Sequence, residues 1–123
     1  MAWHGMAWRK SAWLGVYLGA LAKALQAMGD RHSVLRTTYE YGPGGAFQNV
    51  AAVGTCDFIR RNASGHTRQV VETWCMDEAV QPFDLEHGPV WRARLFSFSP
   101  TSHLLLVAVH HIAFDYWSGI VFW

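Results

Sequence analysis

His103-Leu-Leu-Leu-Val-Ala-Val109, followed at once by His110-His111-Ile-Ala-Phe-Asp115-Tyr-Trp-Ser118, is the stretch whose reading decides the fold. The apolar run shows no alternation and follows a Ser99-Pro-Thr-Ser102 turn signal, so it predicts a strand buried on both faces. His110 and His111 then stand where such a strand opens into a loop. An unperturbed imidazole titrates near pH 6.5, which lets it take and return a proton. General acid-base work of that kind contributes about 10² to 10⁴ in rate. Adjacent strand residues point to opposite faces, so one ring packs or hydrogen-bonds while the other reaches a cleft. His111 is the expected base, His110 the supporting ring, and Asp115 an ion-pairing group. By itself the HHxxxD pattern also admits metal ligands or plain loop histidines. A zinc site, however, needs a third and usually a fourth ligand. His4, His32, His66, His87 and His103 are scattered, Cys56 and Cys75 lack CxxC spacing, and no metal is expected.

Two upstream segments narrow the choice. Arg31-His-Ser-Val-Leu-Arg36-Thr-Thr-Tyr39 comes first, then Pro82-Phe-Asp-Leu-Glu-His-Gly-Pro-Val-Trp-Arg-Ala-Arg-Leu95, then the histidine pair. Together they resemble the amino-terminal part of the condensation domains of nonribosomal peptide synthetases, which carry RHxxLRTxF-like, PFDLxxGPxxRxxL-like and HHxxxDGxS segments in this order. The resemblance covers residues 15–123 and leaves residues 1–14 unassigned. It implies the amino-terminal half of a chloramphenicol-acetyltransferase-like fold, α/β in two layers. It also implies a reaction in which the amine of an aminoacyl thioester attacks an acyl or peptidyl thioester. Both substrates would hang from phosphopantetheine arms on carrier proteins, and no cofactor is expected on this chain itself. His111 takes the role of base or amine-positioning group. His110, Asp115, Arg31 and Arg36 take supporting, structural roles. Tyr116 stands where the family usually has Gly, which tolerates backbone conformations and close approach that a bulky residue does not.

Length and composition point to a piece of a larger protein. A condensation domain has two halves with the site between them, so a chain of 123 residues is expected to lack the carboxyl-terminal half and to show little or no turnover alone. Hydrophobic residues make up 51% and charged ones 15%, against about 25% charged in ordinary soluble domains. A net charge of +1 argues against nucleic acid, which calls for a basic patch or stripe. The two cysteines do not suggest a disulfide framework, and free thiols in a cytoplasmic setting are expected. Residues 1–22 superficially suggest a signal peptide. Against this, Leu14, Leu18, Leu21, Leu25 and Met28 recur at helical spacing past the apparent cleavage point. Lys23 also interrupts the run well short of the ~20 residues a membrane span needs.

The remaining elements follow from periodicity. A helix is predicted over Gly15–Met28, strands over Leu35–Tyr41 and Phe47–Val53 around a Gly42-Pro-Gly-Gly45 turn, and an amphipathic helix over Thr67–Val80 stopped by Pro82. Val90 to Phe98 alternates, with Arg92 and Arg94 on one face. That predicts a half-exposed strand whose arginines are solvated or ion-paired rather than an anion site. Three function classes stay open: peptide condensation, another HHxxxD acyltransferase working on an alcohol or a coenzyme A thioester, and a non-catalytic remnant. The epimerisation variant is disfavoured by Tyr116-Trp-Ser118 after the aspartate.

Overall fold

The structure, a computed structural model, describes residues 5–10 and 18–113. Strand β1 spans Gly5–Lys10, helix α1 Leu18–Arg31, strands β2 and β3 Thr37–Gly42 and Gly45–Val50, strand β4 Asp57–Asn62, helix α2 Arg68–Ala79, and strands β5 and β6 Trp91–Ser99 and Ser102–His110. Single 3-10 turns lie over Ser33–Arg36 and His111–Ala113. Four strands form one sheet in the order β1-β6-β5-β4, and β2 pairs with β3 as a separate hairpin. Within the sheet β4 and β5 run parallel, joined through α2, while β5 with β6 and β6 with β1 are antiparallel. The fold is α/β, as expected, with α1 on one face of the four-stranded sheet and α2 on the other.

Each helix is held to the sheet by a narrow apolar stripe. On α1, Leu21, Leu25 and Met28 fall on one face and pack into the core, the spacing an amphipathic helix requires. On α2, Val71, Cys75 and Ala79 are buried at successive turns. Thr67 starts that helix, its side-chain oxygen accepting the Val70 N–H at 3.3 Å, which satisfies one of the donors a helix end leaves open.

One core cluster draws on all three motifs. Leu35 from the first, Val90, Trp91 and Ala93 from the second, and Val107, Val109 and Ala113 around the histidines pack with Leu25. The loop before β5 is tied to the first motif as well, since the Tyr39 N–H donates to the Leu85 carbonyl at 2.7 Å. Across the chain, α1 is fastened to the loop before β4. A Cβ at Gly54 would stand 2.8 Å from the carbonyl carbon of Gly29, so the two backbones approach closer than any side chain permits. Asp30 Oδ1 accepts the Gly54 N–H at 3.1 Å and Gln26 donates to the Gly54 carbonyl.

Several expectations shift. α1 continues past Met28 to Arg31, and its expected start at Gly15 lies outside the described residues. Leu35 and Arg36 belong to a 3-10 turn rather than to β2, and β3 ends at Val50. Val70, in the first turn of α2, is 40% exposed. Two strands went unanticipated. Residues 5–10, left unassigned in the sequence, form β1 along the edge of β6, and β4 extends the sheet at its other edge.

The largest correction concerns β5. It lies between β4 and β6 and is buried on both faces from Trp91 to Phe96, so Arg92 and Arg94 are only 7% and 6% exposed. The half-exposed strand is overturned, while the ion-paired reading holds for Arg94, which reaches Asp57 Oδ2 at 2.8 Å and Glu78 Oε2 at 3.0 Å.

Candidate active site

Strand β6 ends at His110, and His111 opens the 3-10 turn that follows. The strand is interior and buried over Leu106 to Val109, as the apolar run predicted, with the two histidines at its carboxyl end. The turn parts their surroundings: His110 is half-buried and His111 exposed.

His110 is bound into the fold at several points. Its backbone N–H donates to the Val90 carbonyl at 2.9 Å. Its ring nitrogen Nδ1 accepts the Ile112 N–H at 3.1 Å, which puts the proton of the neutral ring on Nε2. The Phe83 ring stands perpendicular to it, with centroids 6.0 Å apart and planes at 87°. Burial, and secondarily the charge of neighbouring His111, hold the His110 imidazole below the ordinary histidine range. A ring so placed favours its neutral form.

The second motif supplies the loop beside this ring. Asp84 accepts the N–H groups of Glu86 and His87, each at 3.1 Å, and its other oxygen meets His87 Nδ1 at 2.9 Å. The hydrogen bond its ring donates to Asp84 raises the pKa of His87, and the His87 backbone N–H, followed by its ring, lowers that of Asp84. Both side chains are exposed, so this pair shapes the loop and contributes little to stability.

The remaining predicted residues are spread out. Arg31 is exposed at the end of α1, where its positive charge complements the helix dipole. Arg36 donates to the Ala51 carbonyl and accepts, through its own carbonyl, the Ala51 N–H at 2.9 Å. It therefore ties the segment after β3 to the passage from helix to strand. Asp115 and Tyr116 lie outside the described residues.

Other reactive groups are engaged elsewhere. Cys56 and Cys75 are free thiols, and burial, reinforced by Asp57, pushes Cys56 up to about 12, a thiol poorly suited to nucleophilic work. At the far end of the β5–β6 hairpin a cavity of about 440 Å³ is lined by Ser97, Phe98, Pro100 and His103. There His103 Nδ1 meets Ser97 Oγ at 2.8 Å and Nε2 meets the Pro100 carbonyl at 3.2 Å, so both ring nitrogens are occupied within the hairpin. Among the described residues no group of three or more His, Cys, Asp and Glu side chains could hold a metal, and no helix is long and apolar enough to cross a membrane.

Sequence reasoning missed Phe83 as a neighbour of His110, and Arg92 as a neighbour of Phe83. The only signal was that both belong to the second motif.

A mixed sheet, a helix on each of its faces and a histidine pair at the end of an interior strand define part of a chloramphenicol-acetyltransferase-like fold. More narrowly, the chain belongs to the condensation-domain family, whose profile it matches over residues 13–123. It is 35% identical over 101 residues to a nonribosomal peptide synthetase of Metarhizium robertsii, covering 82% of this chain and 1% of that protein. It is 34% identical over 103 residues to the cyclosporin synthetase of Tolypocladium inflatum, covering 84% of this chain and 1% of that protein. The crystal structure of the X-domain from teicoplanin biosynthesis superposes with a TM-score of 0.80 at 29% identity, covering 97% of this chain and 25% of that one. The chain thus spans about a hundredth of these curated relatives and a quarter of the solved domain.

Proposed function

We propose that residues 15–123 are the amino-terminal part of a condensation domain that forms amide bonds between carrier-bound thioesters in nonribosomal peptide synthesis. The observation that carries this reading is the separation of the two histidines: His110 is locked into the fold, while His111 stands exposed at the carboxyl end of β6. The amine of the acceptor attacks the thioester carbonyl of the donor. His111 takes the proton the amine sheds as the C–N bond forms, and the thiolate released as the C–S bond breaks recovers it. A group acting this way contributes about 10² to 10⁴ in rate.

His110 keeps its neighbour in place, and Asp115, Arg31 and Arg36 serve the architecture. The partners are two carrier proteins, whose phosphopantetheine arms deliver the substrates, and the carboxyl-terminal half of the domain, which supplies the opposite wall of the site. The setting is the cytoplasm.

The test joins this chain to the carboxyl-terminal half of a condensation domain and measures peptide-bond formation between two loaded carrier proteins. His111→Ala should cut turnover by at least about a hundredfold with unchanged thermal melting. Near-full turnover in that variant would remove the base role. Product from an alcohol or a coenzyme A thioester, but none from an aminoacyl carrier, would move the chain to the wider acyltransferase class.

A further inference from the structure

Phe83 and Arg92 come from the second motif, to which the chemistry above gives no part, yet Phe83 lies against His110 and Arg92 lies against Phe83. Arg92 is almost fully buried and is held at two points: its terminal nitrogens donate to the Glu78 carbonyl at 3.2 Å and the Pro82 carbonyl at 2.8 Å. Those carbonyls belong to the last turn of α2 and to the residue just before Phe83. The same guanidinium lies over the Phe83 ring, 3.9 Å from its centroid, well inside the roughly 6 Å range of a cation–π contact. Only a planar, forked cation can bond two carbonyls and stack on a ring at once. The arrangement also leaves Arg92 Nε buried with no hydrogen-bond partner among the described residues.

The far side of the chain of contacts is His110. Phe83 meets it edge to face, a preferred geometry for two rings. The bond from the Ile112 N–H to His110 Nδ1 joins the residues on either side of His111, and so fixes the backbone from which His111 is presented.

We propose that Arg92 and Phe83 are positioning residues for the histidine pair: the guanidinium braces the Phe83 ring, the ring braces the His110 imidazole, and His110 closes the turn that presents His111. The proposal rests on the reading of His111 as the base, and it explains why the second motif accompanies the third.

The experiment reads His110 directly. In the full chain labelled with 15N-histidine, NMR at neutral pH should show His110 with an unprotonated Nδ1 and a protonated Nε2. A nuclear Overhauser contact should join its ring protons to those of Phe83. Phe83→Tyr should preserve this signature, whereas Phe83→Leu and Arg92→Lys should mix the two tautomers. In the domain joined to its second half, Phe83→Leu should lower kcat about tenfold with KM unchanged, as a misplaced group does, and Phe83→Tyr should restore it.

Unaltered His110 signals in Phe83→Leu would overturn the proposal. Should that variant fail to fold, the wild-type chain decides, because a proton on Nδ1 or a missing contact between the two rings overturns it equally. His111→Ala separates the two readings. Full condensation in that variant, together with a Phe83-dependent tautomer, removes the base role and leaves the bracing. Lost condensation with an immovable tautomer does the reverse.

Discussion

The two faces of the central sheet are built on different physics. Toward α1 the surface is apolar throughout: Trp91 and Ala93 of β5 and Val107 and Val109 of β6 meet Leu25 and Leu35. Toward α2 the face changes along its length. Near the hairpin turn it is apolar, with Phe96, Leu104 and Leu106 against Val71 and Cys75. Near the histidines it becomes ionic, with Arg94 between Asp57 and Glu78 and Arg92 under Phe83. The apolar face gains stability from area alone, at about 25 cal/mol per Å² buried, and any shape that fits will serve. The ionic region draws its specificity from direction, because the guanidinium groups bond acceptors at fixed positions. It also lies where His110 has to be held in one orientation.

The largest test of this contrast is Trp91→Ala. Trp91 is fully buried, and truncating a ring of that size costs about 3 to 5 kcal/mol. Urea denaturation should show most of the cooperative transition lost. A cost under about 1 kcal/mol, the scale of small core changes, would mean that the α1 face is not the main source of stability.

Arg94→Met should come next. Breaking a buried ion pair costs about 3 to 5 kcal/mol when it strands a charge. Here the carboxylates of Asp57 and Glu78 remain 41% and 27% exposed, so water takes up part of the loss and about 2 kcal/mol is expected. Adding Asp57→Asn and Glu78→Gln to the Arg94→Met chain should recover much of it, since no charge is then left unpaired. If the triple variant is no more stable than the single one, the arginine acts through its shape and not its charge.

This ionic region is also where the sequence was hardest to read. Two arginines on one face of an alternating run, Arg92 and Arg94 within Val90 to Phe98, are the ordinary mark of a solvent-facing strand side. What covers Arg94 lies 16 residues away at Glu78 and 37 away at Asp57, distances over which periodicity carries no information. β4 escaped notice because its Arg60 and Arg61 interrupt a short apolar run. β1 escaped because only pairing with β6 makes it a strand. By contrast, the position of His110 and His111 was legible, since a long unalternating apolar run that ends in two histidines leaves little other choice. The convergence of the three motifs followed from their resemblance to a family, and Leu35, Val90 and Ala113 in one cluster give it a physical basis. Asp115, singled out in the sequence, lies outside the described residues.

A smaller effect tests the helix that covers the ionic face. Thr67→Ala removes the side-chain acceptor of the Val70 N–H and should cost about 1 kcal/mol. Amide exchange should quicken in the first turn of α2 ahead of the α1 face. Equal acceleration on both sides would show that the two faces open as one unit.

The smallest effects are those of pH, and they carry opposite signs in two histidines. His110 is lowered, chiefly by burial, so the unfolded chain binds the proton more readily than the folded one. Its contribution is therefore intact above the ordinary imidazole value near 6.5 and is lost as pH falls through that value toward the lower folded one. His87 is raised, chiefly by its hydrogen bond with Asp84. It adds stability that is fully present below about 6.5 and disappears as pH rises through its folded value. Thermal melting followed from neutral pH down through the imidazole range should show His110→Asn, which keeps an acceptor for the Ile112 N–H, losing less stability than the wild type. His87→Gln should lose slightly more, because an exposed pair contributes little. Parallel curves for the wild type and His110→Asn would mean that His110 titrates as it would in water, and that the α2 face does not shield its histidine end.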